Sequence, residues 1–287
     1  MENSLKISNL TKQYDGFHLD HINLNLKQGS IMGFIGENGA GKSTTIKSII
    51  NLVHPDEGDI EILGMNMKEN ESAIKEQIGV VFDECHFHDS LTSLDINLFM
   101  SKIYSNWDEK IYFNYLKRFK IPEKKIIKEY SRGMKMKLSI AVALSHNPKL
   151  LLLDEATSGL DPVIRNEILD VFYDFIQDEE HSILMSSHIT SDLEQIADYI
   201  TFIHEGKIVF SDSKDNILDN YAVIKCSKAD FTLIDSSYIV GTRNNSYSYE
   251  ILTNRKSDAK KNYKNLVIDS ASLEDIMLFY GKGGVEK

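Results

Sequence analysis

Cysteine is nearly missing: Cys85 and Cys226 are the only two in 287 residues. Two lone thiols build neither a disulfide framework nor a zinc cluster, and they suit a reducing cytoplasm. No stretch approaches the roughly 18 to 20 consecutive apolar residues that a membrane-spanning helix needs. The opening Met1-Glu2-Asn3-Ser4 carries no basic and apolar signal-peptide pattern. Any role at a membrane is therefore expected to run through a partner protein. Positive charge is short too, with 32 Lys and Arg against 43 Asp and Glu and a formal net charge of −11. That balance disfavours nucleic acid or an anionic lipid surface as a direct partner, although it leaves room for a local basic patch. Internal repeats and low-complexity tracts are also missing. With 42% hydrophobic and 26% charged residues, the composition is that of a soluble globular protein, long enough for one large domain with an appendage or two modest domains.

The most informative stretch is Gly36-Glu37-Asn38-Gly39-Ala40-Gly41-Lys42-Ser43-Thr44. It fits G-x-x-x-x-G-K-[ST], in which glycines let successive backbone N–H groups turn toward a phosphate. In this pattern the lysine, Lys42, reaches the β and γ phosphates and the hydroxyl of Ser43 holds Mg²⁺. Context supports the motif, since Ile31 to Ile35 reads as a buried strand and Ser43 to Ile50 as a helix whose N-terminal dipole favours an anion.

Around this loop, Leu5 to Leu10 and Leu19 to Leu26 alternate apolar and polar residues, which predicts half-exposed antiparallel sheet. Between them Tyr14-Asp15-Gly16 offers a ring that is either a turn residue or a stacking surface for a purine. A strand from Ile78 to Phe82 is expected to end at Asp83-Glu84, carboxylates able to ligate Mg²⁺ or simply be solvated. From Leu91 to about Lys120 the pattern is helical, with Asp95 and Asn97 as polar interruptions. Phe99, Met100, Tyr104 and Trp107 supply more large apolar groups than one inward face needs, which suits core packing or a partner-binding groove.

Ser131 is placed to cap a helix running through Ala143, and its hydroxyl and free N–H groups also suit a phosphate presented by another molecule. Leu150 to Leu153 is a buried strand that delivers Asp154 and Glu155 to the sheet edge, where open α/β folds bind ligands. There Asp154 is the expected second-sphere holder of Mg²⁺ and Glu155 is placed to polarise an attacking water. Asp161-Pro162 opens the next helix as N-cap and first residue. Ser182 to Ser187 is another buried strand; a lone histidine such as His188 at its end is usually structural or solvated, but at the edge of this sheet it can contact the γ-phosphate and the water. Beyond about Ser213 short Tyr-, Val- and Ile-rich strands predict a small α+β appendage, and Ser272-Leu273-Glu274-Asp275 reads as a capping box before a last helix.

With these residues in hand, positions 1 to about 212 resemble the ATP-binding subunit of an ABC transporter. The order of motifs carries the likeness: phosphate loop, carboxylate after Ile78 to Phe82, Ser131 helix start, Asp154-Glu155 strand, Ser158 to Asp161 turn, then His188. The fold implied is an α/β phosphate-loop NTPase with a mainly parallel sheet, an N-terminal antiparallel sheet and a helical subdomain at about 88–148. Residues 213–287 form the appendage.

The resemblance further implies that Tyr14 stacks on adenine and that Gly36, Asn38, Gly39, Ala40, Gly41, Lys42, Ser43 and Thr44 cradle the triphosphate. It makes Glu155 the catalytic carboxylate, His188 the switch histidine, and Ser43, Asp83 and Asp154 the Mg²⁺ holders. Ser131 and Gly133 would contact ATP on a facing subunit, and Asp161 is counted with the ATP-binding residues. ATP then joins two nucleotide domains, in a homodimer or heterodimer, and hydrolysis parts them. The partners implied are a second ATP-binding subunit and a separately encoded transmembrane permease, with this chain peripheral on the cytoplasmic side of a bacterial membrane.

This chain departs from the family pattern at three places. The usual Leu-Ser-Gly-Gly-Gln reads Tyr130-Ser131-Arg132-Gly133-Met134, the glutamine after the second strand is Asp83, and the usual glycine turn after Phe210 is missing. The variant signature, Asp83 and the ending Ser272 to Tyr280 are similar to a subgroup of bacterial exporters of antimicrobial and amphipathic peptides such as phenol-soluble modulins. The reading is therefore a transport-coupled ATPase powering export. The rival is a soluble ATP-driven clamp or regulator on ribosomes or nucleic acid, disfavoured by the single nucleotide domain, the lack of a long coiled-coil insertion and the acidic balance.

Overall fold

The computed structural model describes residues 2–244 and 248–282. The chain begins with a hairpin, β1 (Asn3–Tyr14) and β2 (Phe17–Lys27), then β3 (Ile31–Ile35) and α1 (Lys42–Ile49) on either side of the glycine-rich loop. Next come β4 (Glu57–Ile62), β5 (Met65–Asn66), α2 (Met67–Lys75) and β6 (Ile78–Val81). A helical segment follows: α3 (Ser93–Ile103), α4 (Glu109–Arg118) and α5 (Arg132–Leu144). The chain then alternates through β7 (Leu150–Asp154), α6 (Pro162–Phe175), β8 (Ser182–Ser186), α7 (Thr190–Ile196), β9 (Tyr199–His204) and β10 (Lys207–Ser213).

Two sheets are built from these strands. β2-β1-β4-β5 is wholly antiparallel, and β10-β9-β3-β8-β7-β6 is parallel except at β10. The four-leucine run explains how the layers meet, because strand side chains alternate between faces. Leu150 and Leu152 join the antiparallel sheet and α1 in one core; Leu151 and Leu153 face the other way, into a core with α5, α6 and α7. All four are buried, which is why no polar residue interrupts them. Every parallel strand leaves its C-terminal end at one edge, so the loops after β3, β7 and β8 open together.

The expected single helical run from Leu91 to Lys120 is two helices. Thr92 and Asp95 form a capping box that starts α3, and Asp108 caps α4 by accepting from the Lys110 and Ile111 amides. Asn97 holds the break: its side-chain oxygen accepts from Trp107 Nε1 at 2.9 Å and its nitrogen donates to Glu109 at 3.0 Å. The polar interruption in the apolar pattern is thus the tie between the two helices. The antiparallel strands run further than expected, the helix placed at Glu69 to Gln77 starts at Met67, and β6 stops at Val81, leaving Phe82 and Asp83 in the loop.

The rest is α8 (Lys214–Asn220), β11 (Ala222–Ser227), α9 (Lys228–Phe231), β12 (Gly241–Asn244), β13 (Ser248–Thr253), α10 (Lys256–Asn262), β14 (Val267–Ser270) and α11 (Leu273–Lys282). Its strands pair as β12-β13-β11-β14. The strand expected at Tyr238 to Gly241 begins only at Gly241, after a single tight turn of helix at Ser236–Tyr238. Tyr247, the expected start of another strand, lies outside the described residues. One face of this sheet has a small core around Ile224 and Ile251, whereas Leu252, Leu273, Ile276 and Phe279 belong to the same core as α7 and β9. The far end of α11 brings Gly281 against the side chain of Glu37 in the phosphate loop.

Candidate active site

The phosphate loop connects β3 to α1 at the open edge of the large sheet. Gly41 precedes α1 with φ +114°, and a side chain there would lie 2.5 Å from Leu19 and 3.0 Å from Phe17. Gly36 passes against the Ile203 carbonyl too closely for any Cβ. The loop is braced by Ala40 N donating to Glu37 O at 3.1 Å and Gly206 N donating to Ala40 O at 3.0 Å. Its cation is enclosed: Lys42 is 5% exposed, and Nζ donates to the carbonyls of Gly36 at 2.8 Å and Glu37 at 3.2 Å. The same nitrogen stands 3.4 Å from Glu155 Oε1. Ser43 and Thr44 lie on the first turn of α1, partly exposed, while Asn38 and Gly39 are exposed at the loop tip.

β7 ends in two carboxylates of different character. Asp154 is 3% exposed and accepts from the Ser186 hydroxyl at 2.6 Å. Glu155 has left the strand with φ +54°, a left-handed conformation that is uncommon for a residue with a Cβ and concentrates at functional sites. Its amide is held by the Ser186 carbonyl at 3.2 Å and hydroxyl at 3.1 Å. The turn directs its carboxylate away from Asp154 and toward the end of β8. There His188 Nδ1–H donates to Glu155 Oε2 at 2.6 Å, with the His188 amide at 3.4 Å. Glu155 is thus held between a lysine and a histidine, with its Oε1 buried and making no hydrogen bond. Lys42 and His188, from two other segments of the sheet edge, converge on the carboxylate of Glu155.

The remaining expected residues lie on the surrounding surfaces. Ser131 caps α5, accepting from the Met134 amide at 3.2 Å. Gly133 has a packing reason of its own, because a Cβ there would stand 2.5 Å from Ile164 Cδ1 on α6. Arg132 lies over the next turn, its guanidinium 2.6 Å from where a Gly159 Cβ would be. Asp161 caps α6, accepting from the Val163 amide at 3.1 Å and the Ile164 amide at 3.0 Å. Asp83 is exposed and shares a cleft with Tyr130, Arg132 and Lys135. Tyr14 ends β1, 44% exposed, with Lys12 Nζ 5.7 Å from its ring centroid.

The cleft beside Asn38 and Gly39 is lined by Phe17, His18, Asp20, Glu205 and Lys207, so Phe17 is an aromatic at the phosphate loop that the sequence reading passed over. Its position directly after the Asp15-Gly16 turn was the available signal. Ser186, which holds both Asp154 and the Glu155 amide, carries no signal in the sequence beyond its place in a buried strand. Among the described residues no group of three or more His, Cys, Asp or Glu is arranged to hold a metal by itself.

A family model described as "ABC transporter" matches residues 19–158. The bacitracin transport ATP-binding protein BcrA of Bacillus licheniformis is 39% identical over 212 residues, 73% of this chain and 69% of that protein. The lantibiotic transport ATP-binding protein SrtF of Streptococcus pyogenes is 36% identical over 214 residues, covering 74% of this chain and 91% of that one. Among solved structures, the ATP binding subunit of an ABC transporter superposes with a TM-score of 0.67 at 26% identity, over 75% of this chain and 92% of the other.

Proposed function

The chain belongs to the ABC transporter family as an ATP-binding subunit, an ATPase, and from that premise we propose that Glu155 and His188 carry out hydrolysis and that the cargo is an amphipathic or antimicrobial peptide. The observation that carries the catalytic part is the convergence of Lys42 and His188 on the two oxygens of Glu155. With His188 Nδ1–H committed to the carboxylate, Glu155 is oriented to accept a proton from water as it attacks the γ-phosphorus. The remaining nitrogen of His188, Nε2, is then left for a γ-phosphate oxygen.

ATP sits on the loop 36–44, where Lys42 exchanges its contacts with the loop carbonyls and Glu155 for phosphate oxygens. That exchange releases Glu155 for its work on water. Phe17 and Tyr14 are the aromatic candidates for the base. Mg²⁺ fits this oxygen set, because Asp154 is buried with only a neutral hydroxyl as partner and the Ser43 hydroxyl is at hand. Phosphate oxygens and water would complete such a site around Ser43 and Asp154, and Asp83 would add a further carboxylate. The metal supplies charge stabilisation on the β and γ phosphates.

ABC ATP-binding subunits dimerise and work with separate transmembrane subunits. The finer reading is that Ser131 and Gly133 meet ATP on the facing subunit and that Asp161 joins them there. No helix among the described residues is long and apolar enough to cross a membrane. We place the contact with the membrane subunit on α3, where Leu98, Phe99 and Ile103 are 50% to 61% exposed beside a hollow formed by Phe87, Met100, Tyr104 and His146. Apolar side chains grouped in this way on a surface mark an interaction site.

Residues 213–287 are proposed as an accessory unit. Peptide cargo is supported by the printed names of two relatives, which transport bacitracin and a lantibiotic. The test is to tag the chain in its own cell, extract it in mild detergent and identify what copurifies. A stoichiometric multi-helix membrane protein, whose removal makes the cell sensitive to an amphipathic peptide or stops its secretion, is expected. Ribosomes or nucleic acid in its place would overturn the transport reading and leave the ATPase standing.

A further inference from the structure

Asp192 is a buried carboxylate that the catalytic reading leaves unused. It lies in the first turn of α7, four residues after His188, and is 3% exposed. Its Oδ1 stands 4.0 Å from Nη1 of Arg165 on α6. Asp192 Oδ2, Arg165 Nε and Thr157 Oγ1 are all enclosed and make no hydrogen bond. The guanidinium is anchored elsewhere, since Nη2 donates to the Leu160 carbonyl at 3.3 Å. Thr157 and Leu160 belong to the turn that follows Glu155, closed by Ser158 N to Glu155 O at 3.0 Å and Leu160 N to Thr157 O at 3.4 Å. One cluster therefore gathers the turn after Glu155, the start of α6 and the helix that follows His188.

Stability does not explain this cluster. A buried ion contact with incomplete hydrogen bonding recovers little of its desolvation cost, and an apolar pair of similar volume commonly serves the core as well or better. What the ion contact does provide is a fixed register between segments. Register matters here because α7 has only seven residues and no side-chain cap at Ile189, and the bonds that hold the chain at His188, from His188 to Glu155 and from the Ile189 amide to the Ser187 hydroxyl at 2.9 Å, do not tie it to α6. Burial raises the pKa of Asp192 above the ordinary aspartate value, and the Thr157 hydroxyl with the charges of Arg165 and His188 opposes that shift.

We propose that the Asp192–Arg165 contact is a positioning joint that keeps the His188 loop and the turn at 158–161 in register, so that the two shift together through the hydrolytic cycle. The joint rests on the catalytic reading of Glu155 and His188 given above. Neither Asp192 nor Arg165 touches the nucleotide; each acts through the loops it ties together.

The test is steady-state ATP hydrolysis by the full chain carrying Asp192→Asn, Arg165→Gln, both together, and Arg165→Lys, with nucleotide binding and thermal melting measured for each. Each of the first two variants is expected to lower kcat by about tenfold, leave KM for ATP within about twofold, and give a double variant no worse than the poorer single. Arg165→Lys keeps the charge without the planar fork and should recover part of the loss. Losses that multiply in the double variant, or that follow the melting temperature, overturn the joint. Glu155→Gln run in parallel separates the two readings. If it turns over normally the catalytic assignment fails and the joint with it, whereas a dead Glu155→Gln beside fully active Asp192 and Arg165 variants removes the joint alone.

Discussion

His188 Nδ1 and Glu155 Oε2 lie 2.6 Å apart although 33 residues separate them in the chain. The sheet makes that contact possible: β7 and β8 are parallel neighbours, with Asp154 opposite Ser186, so residues just past their ends emerge side by side. The left-handed turn at Glu155 then swings its carboxylate across to the histidine. Lys42, from the loop after β3, reaches the other oxygen. The carboxylate is therefore positioned by backbone geometry and two cationic or proton-donating neighbours before any substrate arrives.

Glu155→Gln is expected to lower ATP hydrolysis by about a hundredfold or more, the scale of a lost general base, while ATP binding is retained. The amide keeps the shape and one acceptor oxygen but cannot take a proton, and it frees Lys42 from a competing negative charge. Rapid-quench turnover alongside nucleotide binding checks this. Normal turnover would remove Glu155 from the base role.

Phe99→Asp is expected to leave stability within about 0.5 kcal/mol, since substitutions at exposed positions seldom cost more. Phe99 is 60% exposed on α3 and contributes little to the core. The same change places a charge on the proposed docking surface and should abolish capture of the membrane subunit. Unaltered copurification would move that surface elsewhere.

Much of this arrangement is readable from residue order, and the reason is local. The four-leucine run, the Asp161-Pro162 start and the glycine-rich loop each carry their structural cause within a few residues, and all three stand where their patterns place them. The break between α3 and α4 is not readable in that way. It depends on Asn97 reaching Trp107 and Glu109, contacts that form only when the two helices have folded back. The left-handed Glu155 and the Asp192–Arg165 contact are hidden for the same reason, because they arise from strands and helices distant in sequence. Gly133 shows the converse: its place in the signature suggests phosphate contact, yet its small size is already required by Ile164 on α6.

His146 gives a pH dependence. It is 1% exposed, stacks on Tyr104 with ring centroids 4.0 Å apart, and its Nε2–H donates to the Ile78 carbonyl at 3.0 Å. Burial lowers its pKa in the folded protein, with the Ile78 and Val142 carbonyls and Glu76 partly opposing the shift. The unfolded chain therefore binds the proton first, at about pH 6.5. The stability this ring contributes is complete above that pH and declines as pH falls toward the lower folded value. Thermal melts from pH 8 to 5 should fall less steeply for His146→Phe, which keeps the stacked ring without a titrating group. Parallel curves for the two proteins would show that His146 does not set the acid-side loss.

The last prediction concerns how residues 213–287 are joined to the rest. Phe279 is 1% exposed and belongs to the core that contains Leu193, Ile200 and Phe202. Tyr280 beside it stands 5.2 Å from the Phe202 ring, centroid to centroid, and the Arg243 guanidinium lies 4.4 Å from the Phe279 ring. A further tie is polar, from the Leu273 amide to Glu194 on α7 at 2.9 Å. With apolar and polar contacts continuous across the join, unfolding the appendage exposes part of the ATPase core. Phe279→Ala, at a cost of about 3 to 5 kcal/mol for a large buried aromatic, should therefore lower a single melting transition seen by both near-ultraviolet circular dichroism and calorimetry. Two transitions, with only the lower one displaced by the substitution, would instead show that the appendage folds independently. The result also bears on catalysis, because the same helix touches both α7 and Glu37 of the phosphate loop. If the two parts melt as one, loosening α11 is felt at the phosphate loop and at the helix that follows His188, and Phe279→Ala should reduce turnover at temperatures well below its melting point.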